Sequence, residues 1–439
     1  MNKLGLVAAV VVVGAVAAAP LVSGMMIEKR FRDYQIPASA PAGLTWHLDS
    51  YQRGYLHATA LSTLSYSSPL LEDQPPVRIQ IRQEIDQVPS LTGRLASVQT
   101  TWVPAPEIKA QLAKVLGDKE PIVLDTTMSW AGVTHTTGTI AGFSLPDAQF
   151  SGGTLTLDTA RSGAFDFSMV MDSLAATDPE SASGEVPIVL KGLKLGGTGV
   201  MSPEGIAWDS QFHAGIDSLA SQAGHVGGLL LTGKSAKVGE VFNASVGIDI
   251  KTLDVADLPP AAKGMRDLKL HYQLDGLDAK ALEAITQQLR EAQKSGGDPE
   301  QIKQVATMAL MTHLPDLLNH GVSFQLNPIG FDTDAGPVAF NLQINLPSGQ
   351  GQALLSNPMG LLNTLTVKGD YRAPQALMNA MLDESDPSAE NQLSLLIQEG
   401  YLNANQGVLS TQFAFEQGKL TINGKPADDL LGAVGGLAR

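Results

Sequence analysis

Cysteine is absent from all 439 residues. That excludes disulfides, thiolate zinc sites and iron–sulfur clusters, all of which need Cys sulfur, and leaves the redox compartment open. Aromatic residues are scarce, at 5%, so a surface that stacks bases or sugar rings is not expected. Positive charge is also short: 29 Lys and Arg stand against 44 Asp and Glu, a formal net charge of −15. Such a chain lacks the basic stripes that neutralise phosphates. This argues against nucleic-acid binding and against a body lying flat on anionic lipid.

Catalytic signatures are missing too. The chain has no G-x-S-x-G elbow, P-loop or dinucleotide fingerprint. Gly196-Gly197-Thr198-Gly199 lacks the lysine and the following helix that phosphate cradling requires, and it reads as a turn between strands. None of the eight histidines (His47, His57, His135, His213, His225, His271, His313, His320) has H-E-x-x-H spacing. His313 reads as an interfacial residue and His320 as a helix C-terminal histidine favoured by the dipole, with Met308, Leu310 and Met311 as core packing. Carboxylate pairs such as Asp332 with Asp334 and Asp428 with Asp429 are what an acidic chain supplies by chance. The expectation is no catalytic residue, no metal ligand and no cofactor.

What is present begins at the N-terminus. Leu4 to Ile27 is a run without a single charge. At ~1.5 Å per residue a helix of that length reaches roughly 36 Å, enough for a ~30 Å hydrocarbon core. We expect a membrane anchor at 1–27, spanning 4–27. A cleaved signal is the alternative, with Leu4 to Val16 as its apolar core and Ala15-Val16-Ala17 as a small-x-small site. The run continues through Pro20, Leu21, Val22, Met25, Met26 and Ile27, which a signal does not need. Lys29, Arg30 and Arg32 follow it and only Lys3 precedes it, a balance that by itself places the body in the cytoplasm.

Beyond Glu28, period-2 alternation dominates, the pattern of half-buried strands. Val77, Ile79 and Ile81 alternate with Arg78, Gln80 and Arg82; Val338, Phe340, Leu342, Ile344 and Leu346 alternate with Ala339, Asn341, Gln343 and Asn345. Phe165–Met171, Phe242–Ile250 and Leu268–Leu274 follow suit, and Leu409–Phe415 with Leu420–Ile422 reads as a hairpin. Phe165 to Ala175, Trp208 to Ala220 and Phe242 to Leu253 repeat loosely: each opens on an aromatic, alternates, and closes on Asp followed shortly by Leu. Helices are expected at Glu107–Gly117, Asp278–Lys294, Pro374–Leu382 and Pro387–Glu399. Another runs from Pro299 to about Asn319, capped by Asp298, kinked or broken at Pro315 and ended by Gly321. The fold class is mainly β with a few helices (α+β): an N-terminal transmembrane helix, then an elongated, curved antiparallel sheet. Paired prolines between Asp254 and Gly264 suggest a boundary, dividing a β-rich part (28–264) from an α+β part (265–439).

In Tyr51-Gln52-Arg53-Gly54-Tyr55, Arg53 with Tyr51 and Tyr55 forms a candidate binding motif. Its bland reading is a bulge or tight turn at Gly54 with Tyr51 and Tyr55 packed across the strand pair.

That cluster also carries a resemblance. Gly24 and Glu28 after the apolar run, Tyr51 to Tyr55, Lys191-Gly192-Leu193, the helical stretch before Gly321, Gly400-Tyr401-Leu402 and Gly418 to Pro426 together resemble the YdgA-like family of Gram-negative bacteria. The resemblance spans nearly the whole chain. It implies an inner-membrane anchor and a β-rich periplasmic body, opposite to the charge count, and it brings no catalytic residue. The His-Gly-Pro triplet associated with the family is absent, and Gln87-Val88-Pro89 stands there instead.

Five apolar side chains of one strand such as Val338–Leu346, left in water, forgo roughly 8–15 kcal/mol at 1.5–3 each. The apolar face must therefore be sheltered by a second sheet, by the few helices, or by a bound apolar ligand. The first expectation is a non-enzymatic, membrane-anchored periplasmic protein that supports the envelope by binding lipid or by scaffolding envelope proteins. The alternative is a hydrolase of envelope polymers or glycans, which needs two carboxylates across a cleft.

Overall fold

The computed structural model describes residues 23–29, 31–33, 43–66, 77–90, 93–177, 188–202, 206–255, 264–294, 299–356, 360, 363–382 and 387–427. The chain is mainly β, with a few helices and a large open antiparallel sheet. It divides into two compact units. One comprises Met1–Ala175, Lys194–Ala207 and Arg290–Lys303; the other comprises Ala176–Leu193, Trp208–Leu289 and Gln304–Arg439.

In the first unit, helix α1 (residues 23–29) precedes an antiparallel meander of β1 (Leu44–Arg53), β2 (His57–Tyr66), β3 (Val77–Asp86) and β4 (Arg94–Val103). Helix α2 (Pro106–Leu116) leads to β5 (Ile122–Ser129), which pairs with β4 and with β6 (Thr134–Ile140). A short hairpin of β7 (Phe143–Ser144) and β8 (Ala148–Phe150) follows, and β9 (Gly153–Thr159) lies between β6 and β10 (Ala164–Ala176). The core is built where small residues leave a hollow. Ala58, Ala60 and Ala96, with Ile85 and Val98, form a floor into which Ile27 of α1 sinks until it is fully buried.

This seat revises the expected membrane span. Residues 4–22 of the charge-free run lie outside those described. Its last residues do not continue as a span: Ser23, Gly24 and Ile27 are buried against the sheet. No helix among the described residues is long and apolar enough to cross a membrane. The alanine floor takes up Ile27, which composition alone assigned to lipid, while Met25 and Met26 stay 60% and 42% exposed.

After β11 (Ile188–Met201), the second unit is a longer meander. It is made of β12 (Ala207–Ser221), β13 (Gly224–Val238), β14 (Val241–Val255), β15 (Met265–Asp278), β16 (Val322–Thr333), β17 (Gly336–Leu346) and β18 (Thr366–Pro374). The short β19 (Asn403–Asn405) pairs with β20 (Val408–Glu416), which also pairs with β18 and with β21 (Lys419–Ile422); β22 (Lys425–Pro426) closes the series. Helices interrupt it: α3 (Ala279–Lys294) and α4 (Pro299–Leu317) between β15 and β16, α5 (Gly351–Ser356) after β17, and α6 (Gln375–Leu382) with α7 (Pro387–Glu399) after β18. All but α5, which the sequence reading does not expect, lie within about two residues of the expected bounds. The capping residue Asp298 and residues 256–263 lie outside those described. Across that last gap β14 and β15 stay in register, Leu253 opposite Met265.

Two expectations change. Gly196 to Gly199 is no turn: it lies inside β11, with Gly196 and Gly197 buried. Helix α4 passes through Pro315 to Leu317 without ending there. Pro315 lacks an N–H one turn from the helix end, so a single intrahelical bond is lost. The carbonyl of Pro315 is also packed against Gly351, where a Cβ would overlap it.

Register sorts the second unit into two faces, because residues directly opposite in a ladder point to the same side. One cross-strand row reads Gln211, Lys234, Ser245, Gln273, Gln325, Gln343, Lys368, Ala414, Thr421 from β12 to β21. The row beside it, on the other face, reads Phe212, Gly233, Val246, Tyr272, Leu326, Leu342, Gly369, Phe413, Ile422. One side of the sheet is amide and charge; the other is aliphatic and aromatic.

Candidate functional site

Arg53 and Tyr51 leave β1 on the side where α1 sits. Arg53 Nη1 lies 3.1 Å from Glu28 Oε2, and Arg32 of the α1 end donates to Glu28 Oε1 at 2.9 and 3.0 Å. The Tyr51 ring packs on Phe31 with centroids 5.8 Å apart. Beneath them the fully buried Gln87 receives a hydrogen bond from Ser23 Oγ on its backbone oxygen, at 2.6 Å. A Cβ at Gly24 would overlap the Gln87 amide, so only glycine lets α1 approach this closely. The Gln87 amide and the Tyr51 hydroxyl lie side by side and buried, and each meets only the other, at geometry too poor for a firm hydrogen bond. Burial, then the Glu28 carboxylate, push the Tyr51 hydroxyl above its ordinary pKa, opposed by Arg53, the Gln87 contact and Arg32.

The Tyr51–Tyr55 cluster is therefore split. Tyr51 and Arg53 converge on α1. Gly54 closes the β1–β2 turn, its N–H donating to the His57 carbonyl at 2.8 Å. Tyr55 sits on that turn, 48% exposed. The sequence reading missed Gln87 as a member of this seat. The signal for it is the Gln-Val-Pro that stands where the resemblance expects His-Gly-Pro. Chemically the arrangement is a clamp made of an ion pair, a ring contact and a glycine approach.

Histidines and carboxylates meet elsewhere, in pairs. His135 Nδ1 lies 2.6 Å from Asp158, His271 Nε2 3.1 Å from Asp249, and His320 Nε2 2.9 Å from Asp278. His313 pairs with Gln288 of α3 at 3.0 Å. Among the described residues, no group of three His, Asp or Glu could hold a metal ion. Met308, Leu310 and Met311 are not core residues: they are 69%, 45% and 52% exposed. Helix periodicity explains it, since Ala309 and Leu317 carry the stripe that packs on Ala281 and Ile285 of α3, and 308 and 311 fall on the opposite side.

The largest unassigned surface is the apolar face of the second unit. Its fully buried side chains gather at the margins. Trp208 meets Phe242 edge to face at 5.2 Å under Lys237, beside the packed helices α3 and α4. Ala373, Leu377 and Leu409 are buried with α6, where Tyr371 donates to the Met378 sulfur. Between these margins only Gly233 is buried in the central rows, and Phe212, Val246 and Tyr272 are 41%, 40% and 36% exposed. Phe212 lies over Gly233 and Phe413 over Gly369, so that a Cβ at either glycine would overlap a ring. Rings laid over glycines smooth this face. Roughly ten aliphatic and aromatic side chains left half in water hold on the order of 10 kcal/mol of unrealised burial.

Residues 1–428 match the family described as bacterial protein of unknown function (DUF945). No curated protein and no solved structure gives a match.

Proposed function

The chain belongs to the bacterial family of unknown function DUF945, and from that premise we propose that it is a membrane-tethered, non-enzymatic protein that holds acyl chains on the apolar face of its second unit. One observation carries the reading: among the described residues of that unit α3 packs on α4 and α6 packs on β18, while Val246 and Tyr272 of the central rows stay 40% and 36% exposed. Acyl chains suit such a surface because it offers area and smoothness with almost no polar partner, and hydrophobic attraction needs no directionality. The charge-free Leu4–Val22 stretch supplies the tether. The seating of α1, with Ile27 on the alanine floor and Glu28 paired to Arg53, would hold the body close to it. The resemblance noted in the sequence favours a periplasmic body over the cytoplasmic one that the Lys29, Arg30 and Arg32 collar suggests.

The test is native mass spectrometry of the full chain after gentle extraction, followed by titration of the delipidated protein with a fluorescent phospholipid. Co-purifying lipid is expected, with micromolar binding that Leu342→Asp weakens at least tenfold. A chain that comes out lipid-free and leaves the phospholipid unbound overturns the proposal.

A further inference from the structure

The opposite face of the second unit has its own chemistry. Three shallow clefts of about 370, 280 and 630 Å³ lie on it. They adjoin: the first and second share Lys234, Ser245 and Gln273, and the second and third share Gln325 and Asn327. Together they follow the amide row from β12 to β21. At ~4.8 Å per strand step, eight steps make a lane roughly 38 Å long.

The amides in this lane are oriented alike. Gln273 Nε2 donates to Asp275 at 2.7 Å, Gln325 Nε2 to Ser323 at 3.3 Å, and Gln343 Nε2 to Asn345 at 3.3 Å. Beside them Asn341 Nδ2 donates to Asp370 at 2.9 Å. A carboxylate only accepts, so at Gln273 and Asn341 the amide nitrogen must face inward to its partner. The glutamine carbonyl oxygens are left without a protein partner among the described residues. Three of them stand on consecutive strands in one row, Gln273 opposite Gln325 and Gln325 opposite Gln343. Lys234 bears a cation with no ion-pair partner among the described residues, and Lys368 is held by Glu416 at 2.8 Å.

We propose that this lane binds a linear glycan laid across the strands. The lane offers chiefly acceptors, so its complement is donor-rich. Sugar hydroxyls give donors at every residue, at a repeat close to the interstrand spacing. An extended peptide brings one carbonyl for every N–H and would leave those carbonyls facing acceptors. A nucleic acid is opposed by the chain's net charge of −15. Asp209, Asp275, Asp370 and Glu416 line these clefts beside Lys234 and Lys368, so an uncharged glycan fits the lane better than an acidic one.

The experiment uses the full chain in mild detergent against immobilised hexamers of β-1,4-linked N-acetylglucosamine, β-1,4-linked glucose and β-1,4-linked mannuronate, with an extended polyserine peptide as the rival ligand. At least one hexamer is expected to bind in the micromolar range, better than the peptide. The pair Gln273→Leu with Gln343→Leu should weaken it about tenfold, and Ile344→Asp, on the other face and outside the three clefts, should leave it unchanged. If the paired variant melts early, Lys234→Gln replaces it and must alter binding of the mannuronate hexamer or the choice among hexamers. The proposal is overturned if no hexamer binds below ~1 mM, if the peptide binds best, or if folded lane variants bind like the parent chain. Lipid binding is read separately, so failure of one face does not mimic failure of the other.

Discussion

Ile27→Ala tests whether α1 is part of the first unit or merely rests on it. Ile27 is fully buried on Ala58, Ala60, Ile85, Ala96 and Val98. The substitution removes three carbons. At ~0.8 kcal/mol per buried methylene the transfer loss alone is about 2.4 kcal/mol. The alanine floor cannot collapse upward, because it is held in ladder register, so a cavity term is added and the total falls at about 2–5 kcal/mol. Three of the four tryptophans, Trp46, Trp102 and Trp130, belong to the first unit, so fluorescence during chemical denaturation reports mainly on it. Hydrogen exchange at residues 24–29 reports on the helix alone. An integral α1 gives a lower denaturation midpoint together with faster exchange. A strap that undocks gives fast exchange with the midpoint unmoved. A change under ~1 kcal/mol in both would refute the burial argument.

Tyr51→Phe removes a buried hydroxyl that meets only the Gln87 amide, at geometry too poor for a firm hydrogen bond, and a poorly paired buried polar group costs ~1–3 kcal/mol; the variant should be more stable, by about 1 kcal/mol in the same denaturation series, and a loss of that size would mean that the Gln87 contact satisfies the hydroxyl. Tyr51 and Tyr371 both have pKa values raised by burial, with Glu28 adding to the rise at Tyr51. Their contribution is therefore complete below the unfolded value of about 10 and is lost as pH climbs through the folded values, so thermal midpoints should fall at alkaline pH and fall less in Y51F/Y371F. Gly233→Val must evict the Phe212 ring from its place over the glycine and should cost about 1–3 kcal/mol, read by chemical denaturation. A double-mutant cycle on Glu28→Gln and Arg53→Gln should give a coupling of about 0.5–1 kcal/mol that shrinks in high salt, since both side chains are partly exposed.

Strands were the most legible element because alternation is a direct image of a two-faced sheet: Val338–Leu346 and Leu409–Phe415 appear where their periods put them. Helix starts marked by proline, at Pro299 and Pro387, were equally plain. Failures came where a tertiary neighbour decides. The hydropathy of Ser23–Ile27 fits lipid or an alanine-floored sheet equally well, and only the contact with Ala58, Ala60 and Ala96 tells them apart. Met308 and Met311 read as core by type, but the phase of α4 is set by Ala309 and Leu317. Gly196–Gly197 resembles a turn by composition, yet both glycines lie buried within β11. The amide lane was invisible because its members lie 18 to 52 residues apart, at Gln273, Gln325 and Gln343, and only register aligns them. Gln87 was quoted only as a departure from a family triplet, and nothing local announces that it lies beneath α1.

The meander of the second unit gives every long strand neighbours that are close in sequence, apart from the helical excursions between β15 and β16 and after β17 and β18. Cohesion in such an array is local, passing from one rung to the next and not through a common centre. Its length is therefore a free variable: two antiparallel rungs gained or lost together leave the polarity of both surfaces intact. Relatives of unequal size could keep the same lanes while differing in reach, and melting should travel inward from the outermost rungs in place of a single collapse.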